Sequence, residues 1–246
     1  MLRLPEDRAA ARAAPGERGL EARARGTLVH ALLESFDFVL GRPPSSDDVA
    51  RHARALGLRI GREERDELVA LVATAVSAAP AARLAGAVSI RREHPFAFSL
   101  GADEPLITGV IDLLAVERDG THVVLDYKSD RVAADVELER LVEREYAIQR
   151  ELYALAVLRD GARTVEIVHW FLEREQWVTA RYEAGDRIEL ERRLTARIAD
   201  ARETPFAVSR RPHRGLCLTC PGRAGLCSWS DAETLRESPD DVPAET

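Results

Sequence analysis

The chain has 246 residues, of which 46% are hydrophobic and 31% are charged, a composition typical of folded globular proteins that excludes collagen, coiled-coil and low-complexity classes. Its net charge of −7 argues against a uniformly basic nucleic-acid-binding protein, so any such binding must use a local patch. The longest apolar run, residues 68–76, is far shorter than the roughly 20 residues of a membrane span, which predicts a protein without a membrane partner.

The first third of the chain is predicted to be helical, after a loose Ala/Arg/Pro-rich lead-in over residues 1–16. Apolar side chains at helical spacing predict helices over residues 17–40, 46–56 and 62–78. Pro80 follows the third helix and is interpreted as its stop signal. The first helix carries His30, a residue that is also common on an ordinary packed helix face.

The middle of the chain changes to the period-two pattern of strands. The predicted strands cover residues 88–100, 106–117, 122–128, 163–172 and 176–182, and the predicted helices cover residues 134–159 and 186–203. Asp119-Gly120 predicts a hairpin turn between the second and third strands. The order predicts an α/β domain over residues 17–204, with a mixed central sheet flanked by helices.

Three carboxylates and a lysine lie on the first three predicted strands. Asp126 and Lys128 are two residues apart and therefore share a strand face, Asp112 lies on the partner strand, and Glu93 on the strand before. Oxygen ligands from neighbouring strands suit Mg²⁺ or Mn²⁺, which could activate water for phosphodiester hydrolysis. A buried Asp–Lys salt bridge beside a turn-capping aspartate would explain the same pattern. Gly109 would let a nucleic-acid backbone approach closely, although a strand glycine is as often a bulge.

Lys128 is the only lysine in the chain, and the other 34 basic residues are arginines. A GC-rich genome explains a general preference for arginine, but it does not explain the one exception. Lysine carries a compact ammonium and arginine a wide planar guanidinium. The pattern therefore indicates a site that needs the smaller group, with chance survival as the alternative.

The helix over residues 134–159 carries a second polar pattern. Tyr146, Gln149 and Tyr153 fall on one stripe, suited to stacking on bases and to hydrogen bonding. The same residues would also fit the edge of a core. The predicted apolar stripe beside them consists of Leu138, Leu141, Val142, Ile148, Leu152 and Leu155.

Together these segments resemble the nuclease domain of RecB and AddA, within the PD-(D/E)XK superfamily. The resemblance covers about residues 17–175 and rests on five segments in the order of that family: Arg25-Gly-Thr-Leu-Val-His30, Glu93-x-Pro-Phe96, Gly109-Val-Ile-Asp112, Asp126-Tyr-Lys128-Ser-Asp130 and Tyr146-x-x-Gln149-x-x-x-Tyr153. It implies a restriction-endonuclease-like core.

The resemblance also implies a role for each matching position. His30, Asp112 and Asp126 would ligate Mg²⁺ or Mn²⁺, with the backbone carbonyl of Tyr127 or Leu125 as a further ligand. Lys128 would be the catalytic ammonium, and Glu93 would join the catalytic group. Tyr146, Gln149 and Tyr153 would support the site and contact DNA.

All three cysteines lie in a predicted loop over residues 205–230. Cys217, Cys220 and Cys227 have metal-ligand spacing, and their small number predicts a reducing, cytoplasmic location. Relatives of RecB such as AddB hold a [4Fe–4S] cluster with a similar triplet and one upstream cysteine, which this sequence lacks. His213 could instead complete a Cys3His Zn²⁺ site. A loop without metal is the third alternative.

The same loop is the local basic patch that the overall charge leaves room for. It contains Arg210, Arg211, Arg214 and Arg223 and no acidic residue, so these arginines are candidates for phosphate contacts. Chance clustering in a solvated loop is the alternative. Residues 231–246 are acidic and are predicted to be a disordered tail.

The sequence thus predicts a divalent-metal-dependent DNA nuclease, with exonuclease activity in DNA end processing or double-strand-break repair. No Gly-rich phosphate-binding loop is present, so a helicase partner would be another polypeptide. The alternatives are a catalytically inactive binding or assembly module with the same fold, and a restriction-type or RNA-directed hydrolase.

Overall fold

The computed structural model describes residue 20 and residues 22–38, 40–203, 209–218, 220–223 and 225–237. The described residues form two compact units, one ending at Ile198 and the other beginning at Ala199. The predicted lead-in, residues 1–16, lies outside the described residues, as do residues 238–246 of the predicted tail.

Four helices precede the sheet. They are α1 (Ala22–Glu34), α2 (Ser46–Ala55), α3 (Arg62–Val76) and α4 (Ala79–Ala85). Helix α2 begins with a capping box, in which Ser45 and Asp48 each accept a hydrogen bond from the other's backbone N–H. Pro80 does not only end α3: it lies in the first turn of α4, where its missing N–H costs nothing. The prediction therefore missed α4.

The predicted mixed sheet is confirmed. Its strands are β1 (Ser89–Phe98), β2 (Ile107–Val116), β3 (His122–Lys128), β4 (Thr164–Phe171) and β5 (Gln176–Glu183), adjacent in that order. Strands β3 and β4 are parallel and the other neighbours antiparallel. The connection between β3 and β4 consists of the short helix α5 (Leu138–Leu141), a π-helical turn (Val142–Tyr146) and helix α6 (Ala147–Arg159). Such a helical crossover is what parallel neighbours require.

The sheet has an apolar core on each face. Leu125 and Tyr127 of β3 pack towards α1–α4, whereas Val124 packs in the cluster that contains Leu155 of α6 and Leu190 of α7 (Arg187–Glu203). Alternation along β3 therefore directs Asp126 and Lys128 towards the α6 side. In the second unit, α8 (Arg214–Cys217) lies within the predicted cysteine loop and α9 (Asp231–Thr234) within the predicted tail.

The π-helical turn changes which face of α6 is buried. It inserts an extra residue per turn, so the helical phase after Tyr146 is shifted relative to an uninterrupted α-helix. Leu155 is fully buried, but Ile148, which the predicted stripe placed beside it, is 42% exposed. Tyr146, Gln149 and Tyr153 are buried.

No single helix among the described residues is long and apolar enough to cross a membrane. Helices α3 and α4 reach that length and composition only together, and they meet at a bend of 62°.

The phase shift can be tested with a pair of alanine substitutions on α6. We expect Leu155→Ala to lower the free energy of unfolding by about 2–5 kcal/mol, because it leaves a cavity in the core. Ile148→Ala is the matched control and should cost about 0.5 kcal/mol or less, because the side chain is exposed. Urea unfolding followed by tryptophan fluorescence measures both values. Equal costs would contradict the shifted phase.

Candidate active site

The site begins at a break in the pairing of three strands. The β1–β2 ladder pairs Arg92 with Leu113 and His94 with Ile111, but it omits the two residues between them, Glu93 and Asp112. Glu93 has a φ of 45°, in the left-handed region that non-glycine residues rarely adopt. Strained backbone of this kind is concentrated at functional sites.

Strand β2 also separates from β3 at Asp112. Their ladder runs from the pair Val116–His122 to the pair Leu113–Leu125 and stops there. In place of the next ladder bond, the backbone N–H of Tyr127 donates to Oδ2 of Asp112 at 2.9 Å. The carboxylate of Asp112 is thereby held in the gap between the two strands.

Helix α1 completes a cluster of ligand atoms at this gap. One ligand atom each from His30, Glu93 and Asp112 lie within 4.8 Å of one another, and this is the only such group of three or more among the residues that the structure describes. His30 Nδ1 lies 3.6 Å from Oδ1 of Asp112, and His30 Nε2 lies 3.1 Å from the carbonyl oxygen of Tyr127. One nitrogen and two carboxylates are a suitable donor set for a divalent cation.

The electrostatics of the gap also favour a cation. Burial, and after it the negative charge of Asp126, raise the pKa of Asp112 above its ordinary range, while His30 and the N–H of Tyr127 oppose this shift. Two carboxylates that repel each other at a partly buried site are stabilised together by a positive ion. The residues present therefore fit a divalent metal.

Asp126 and Lys128 form a buried ion pair next to this cluster. They are 1% and 2% exposed, and Oδ2 of Asp126 lies 2.7 Å from Nζ of Lys128. The carboxylate is poorly satisfied by hydrogen bonds, since neither of its oxygens has a hydrogen-bond partner among the described residues. An acceptor of this kind retains capacity for a further ligand.

The tyrosines and the glutamine of the second motif surround Lys128. Nζ donates to Oε1 of Gln149 at 3.1 Å and lies 4.1 Å from the ring centroid of Tyr146. Gln149 donates to the hydroxyl of Tyr153 at 3.0 Å, and that hydroxyl donates to the carbonyl oxygen of Val110 at 3.0 Å. The three motif residues are at most 5% exposed, so they support the lysine, and stacking of the tyrosines on bases does not fit their burial.

His169 is a site residue that the sequence analysis missed. It pairs with Asp126 in the β3–β4 ladder, is fully buried, and places Nε2 3.7 Å from Oδ2 of Asp126. Burial lowers the pKa of His169 to about 4, and the charge of Asp126 opposes that shift. The signal was a lone histidine within the apolar run of β4, which becomes meaningful only when β4 is known to lie beside Asp126.

Gly109 does not leave the open space that the sequence analysis expected. A Cβ atom at this position would lie 2.5 Å from Cζ of Phe96, so the ring of Phe96 already occupies the space. The expected approach of a nucleic-acid backbone at Gly109 is therefore wrong for this structure.

The predicted cysteine and arginine sites lie in the second unit. Cys217 is buried, Cys220 is exposed and Cys227 is intermediate; with His213 they remain a predicted Zn²⁺ or [4Fe–4S] site, because the described residues do not bring them together as a ligand group. Arg214 is ion-paired with Glu237 and Arg223 with Asp231, each at 2.9 Å. The basic patch is thus partly neutralised by acids beyond the predicted loop, while Arg210 and Arg211 are exposed.

Comparisons with known proteins point to one family. Residues 2–227 match the family model described as the PD-(D/E)XK nuclease superfamily. A large subunit of an ATP-dependent helicase/nuclease from Desulforudis audaxviator is 36% identical over 176 residues, which are 63% of this chain and 13% of that relative. A protein of the same name from Carboxydothermus hydrogenoformans is 40% identical over 108 residues, 39% of this chain and 9% of that relative.

A solved structure of a candidate exonuclease from Eubacterium rectale aligns over 86% of this chain and 76% of its own, with a TM-score of 0.44 and 11% identity. The chain spans only a small part of the helicase/nuclease relatives. The family match nevertheless covers almost all of this sequence, and the chain belongs to the PD-(D/E)XK nuclease superfamily.

Proposed function

We propose that this chain hydrolyses phosphodiester bonds in DNA with a bound Mg²⁺ or Mn²⁺ ion. The observation that carries the proposal is the meeting of two arrangements at one gap in the sheet. One is the ligand group of His30, Glu93 and Asp112, and the other is the buried pair of Asp126 and Lys128. An acidic pocket alone is common, but one with a buried ammonium beside it suits the chemistry of a phosphodiester.

His30, Glu93 and Asp112 are the residues that would hold the metal. Asp126 is a fourth candidate because its carboxylate is close enough to raise the pKa of Asp112 and lacks hydrogen-bond partners among the described residues. The carbonyl of Tyr127, next to His30, is a fifth. A bound divalent ion would polarise the phosphodiester and lower the pKa of a water molecule.

Lys128 supplies positive charge for the oxygens of the phosphoryl group as negative charge develops on them. The contacts to Gln149 and Tyr146 fix the ammonium before substrate arrives, so little reorganisation is needed during the reaction. Gln149 in turn is held by Tyr153. These residues position the lysine rather than bind the base.

The biological role we propose is exonuclease activity in DNA end processing or double-strand-break repair, in partnership with a helicase. The support is the similarity to proteins named as subunits of an ATP-dependent helicase/nuclease. DNA is the proposed substrate, and exposed Arg210 and Arg211 are proposed phosphate contacts.

The proposed activity can be tested with purified chain and linear or circular DNA, single- or double-stranded, in Mg²⁺ or Mn²⁺. We expect metal-dependent cutting of linear DNA that is lost in EDTA. Lys128→Arg should cut about 100-fold to 1,000-fold more slowly, because the guanidinium cannot occupy the space of the ammonium. Arg192→Lys, on exposed α7, is the matched control and should cut normally.

Three outcomes would contradict parts of this proposal. Binding of DNA without cutting under all metal conditions would support the inactive assembly module. Cutting of RNA alone, or of circular DNA at defined sequences, would overturn the exonuclease assignment. Normal cutting by Lys128→Arg would refute the role of the ammonium.

The ligand group can be tested separately through Mn²⁺ binding followed by electron paramagnetic resonance in the absence of DNA. We expect Glu93→Gln to weaken Mn²⁺ binding by about 10-fold to 100-fold, because it removes one of three charged or basic donors. Glu63→Gln removes an exposed carboxylate from the first turn of α3 and should leave the affinity unchanged. If Glu93→Gln and Asp112→Asn both bind Mn²⁺ as the natural chain does, the metal site lies elsewhere.

A further inference from the structure

Phe96 and Gly109 form an unusual contact on the α6 side of the sheet. They are directly opposite each other in the β1–β2 ladder. The ring of Phe96 lies over the glycine so closely that an added Cβ would be 2.5 Å from Cζ and 2.6 Å from Cε1. Real Cβ atoms do not tolerate such distances, so a side chain at position 109 would displace the ring. An aromatic ring laid across a strand glycine also covers its exposed backbone.

The displaced ring would not move alone. Phe96 contacts the ring of Tyr153 edge-on, with centroids 5.9 Å apart and an angle of 87° between the planes. Tyr153 in turn joins helix α6 to β2, because its hydroxyl accepts from Gln149 and donates to the carbonyl of Val110. The other end of the Gln149 amide accepts from Lys128.

We propose that Phe96 and Gly109 are positioning residues: the ring seated on the glycine sets Tyr153, and through Gln149 it sets the Lys128 ammonium. The consequence for cutting rests on the proposed function, whereas the consequence for the position of Lys128 does not. Neither residue touches the metal group or the ion pair in the contacts described above. Gly109 is then required because of Phe96 and not because of the substrate.

A double-substitution cycle separates this role from a direct contact with nucleic acid. We expect Gly109→Ala to lower kcat about 10-fold to 100-fold with little change in KM, because a displacement of about 1 Å at a catalytic group has effects of that size. Phe96→Leu lacks the atoms that the new methyl would meet. In a Phe96→Leu background, adding Gly109→Ala should therefore change kcat less than about threefold.

The unique lysine provides a readout that does not depend on activity. Chain labelled with ¹³C-lysine gives one Cε signal, from Lys128, because there is no other lysine. In the natural chain, the signal should be displaced from that of free lysine by the nearby ring of Tyr146. Gly109→Ala and Phe96→Leu should both move it. Gly185→Ala is the matched control, since its added Cβ meets open space, and should leave the signal unchanged.

The outcomes distinguish failure of this inference from failure of the proposed function. If the natural chain cuts no DNA but the lysine signal shifts as expected, the positioning contact stands and the nuclease proposal fails. An unchanged lysine signal in both Gly109→Ala and Phe96→Leu overturns the positioning contact. So does a Gly109→Ala effect that is equally large with and without Phe96 and appears in KM, because that result assigns Gly109 to substrate approach.

Discussion

The site depends on the buried ion pair of Asp126 and Lys128. Removing two charges from water is expensive, and such a pair seldom stabilises a fold more than apolar side chains of similar volume would. The surroundings here do not minimise that cost, because the carboxylate lacks hydrogen-bond partners among the described residues and a neutral histidine lies 3.7 Å away. An arrangement that is poor for stability but holds an ammonium rigidly is understandable as a requirement of function.

The break between the strands has the same character. A regular ladder would have paired Glu93 with Asp112 and left their side chains on the sheet faces. Instead Glu93 takes a left-handed backbone conformation, and Asp112 bonds to the N–H of Tyr127. Two pairings are lost, and in return two carboxylates meet a histidine from α1. Strain and charge repulsion at one place both become reasonable if a cation is the usual occupant.

The sequence predicted what depends on local patterns. Alternation located β3 at its observed bounds and placed Asp126 and Lys128 on one face, and the motif order identified the fold. It failed where distant residues decide. The π-helical turn that exposes Ile148 and the ring of Phe96 over Gly109 follow from packing, and no single segment reveals them. His169 likewise gains its meaning from β4 lying beside β3, and Arg214 from its pairing with Glu237.

The exceptional lysine now has a physical explanation. Lys128 is enclosed on three sides by the carboxylate of Asp126 at 2.7 Å, the amide of Gln149 at 3.1 Å and the ring of Tyr146 at 4.1 Å. A guanidinium is planar and needs room for five N–H donors, which this space does not offer. At exposed positions the two basic residues serve equally well, and there this chain uses arginine. A substitution bias that acts on the whole sequence therefore stops at the one position where the shape of the cation matters.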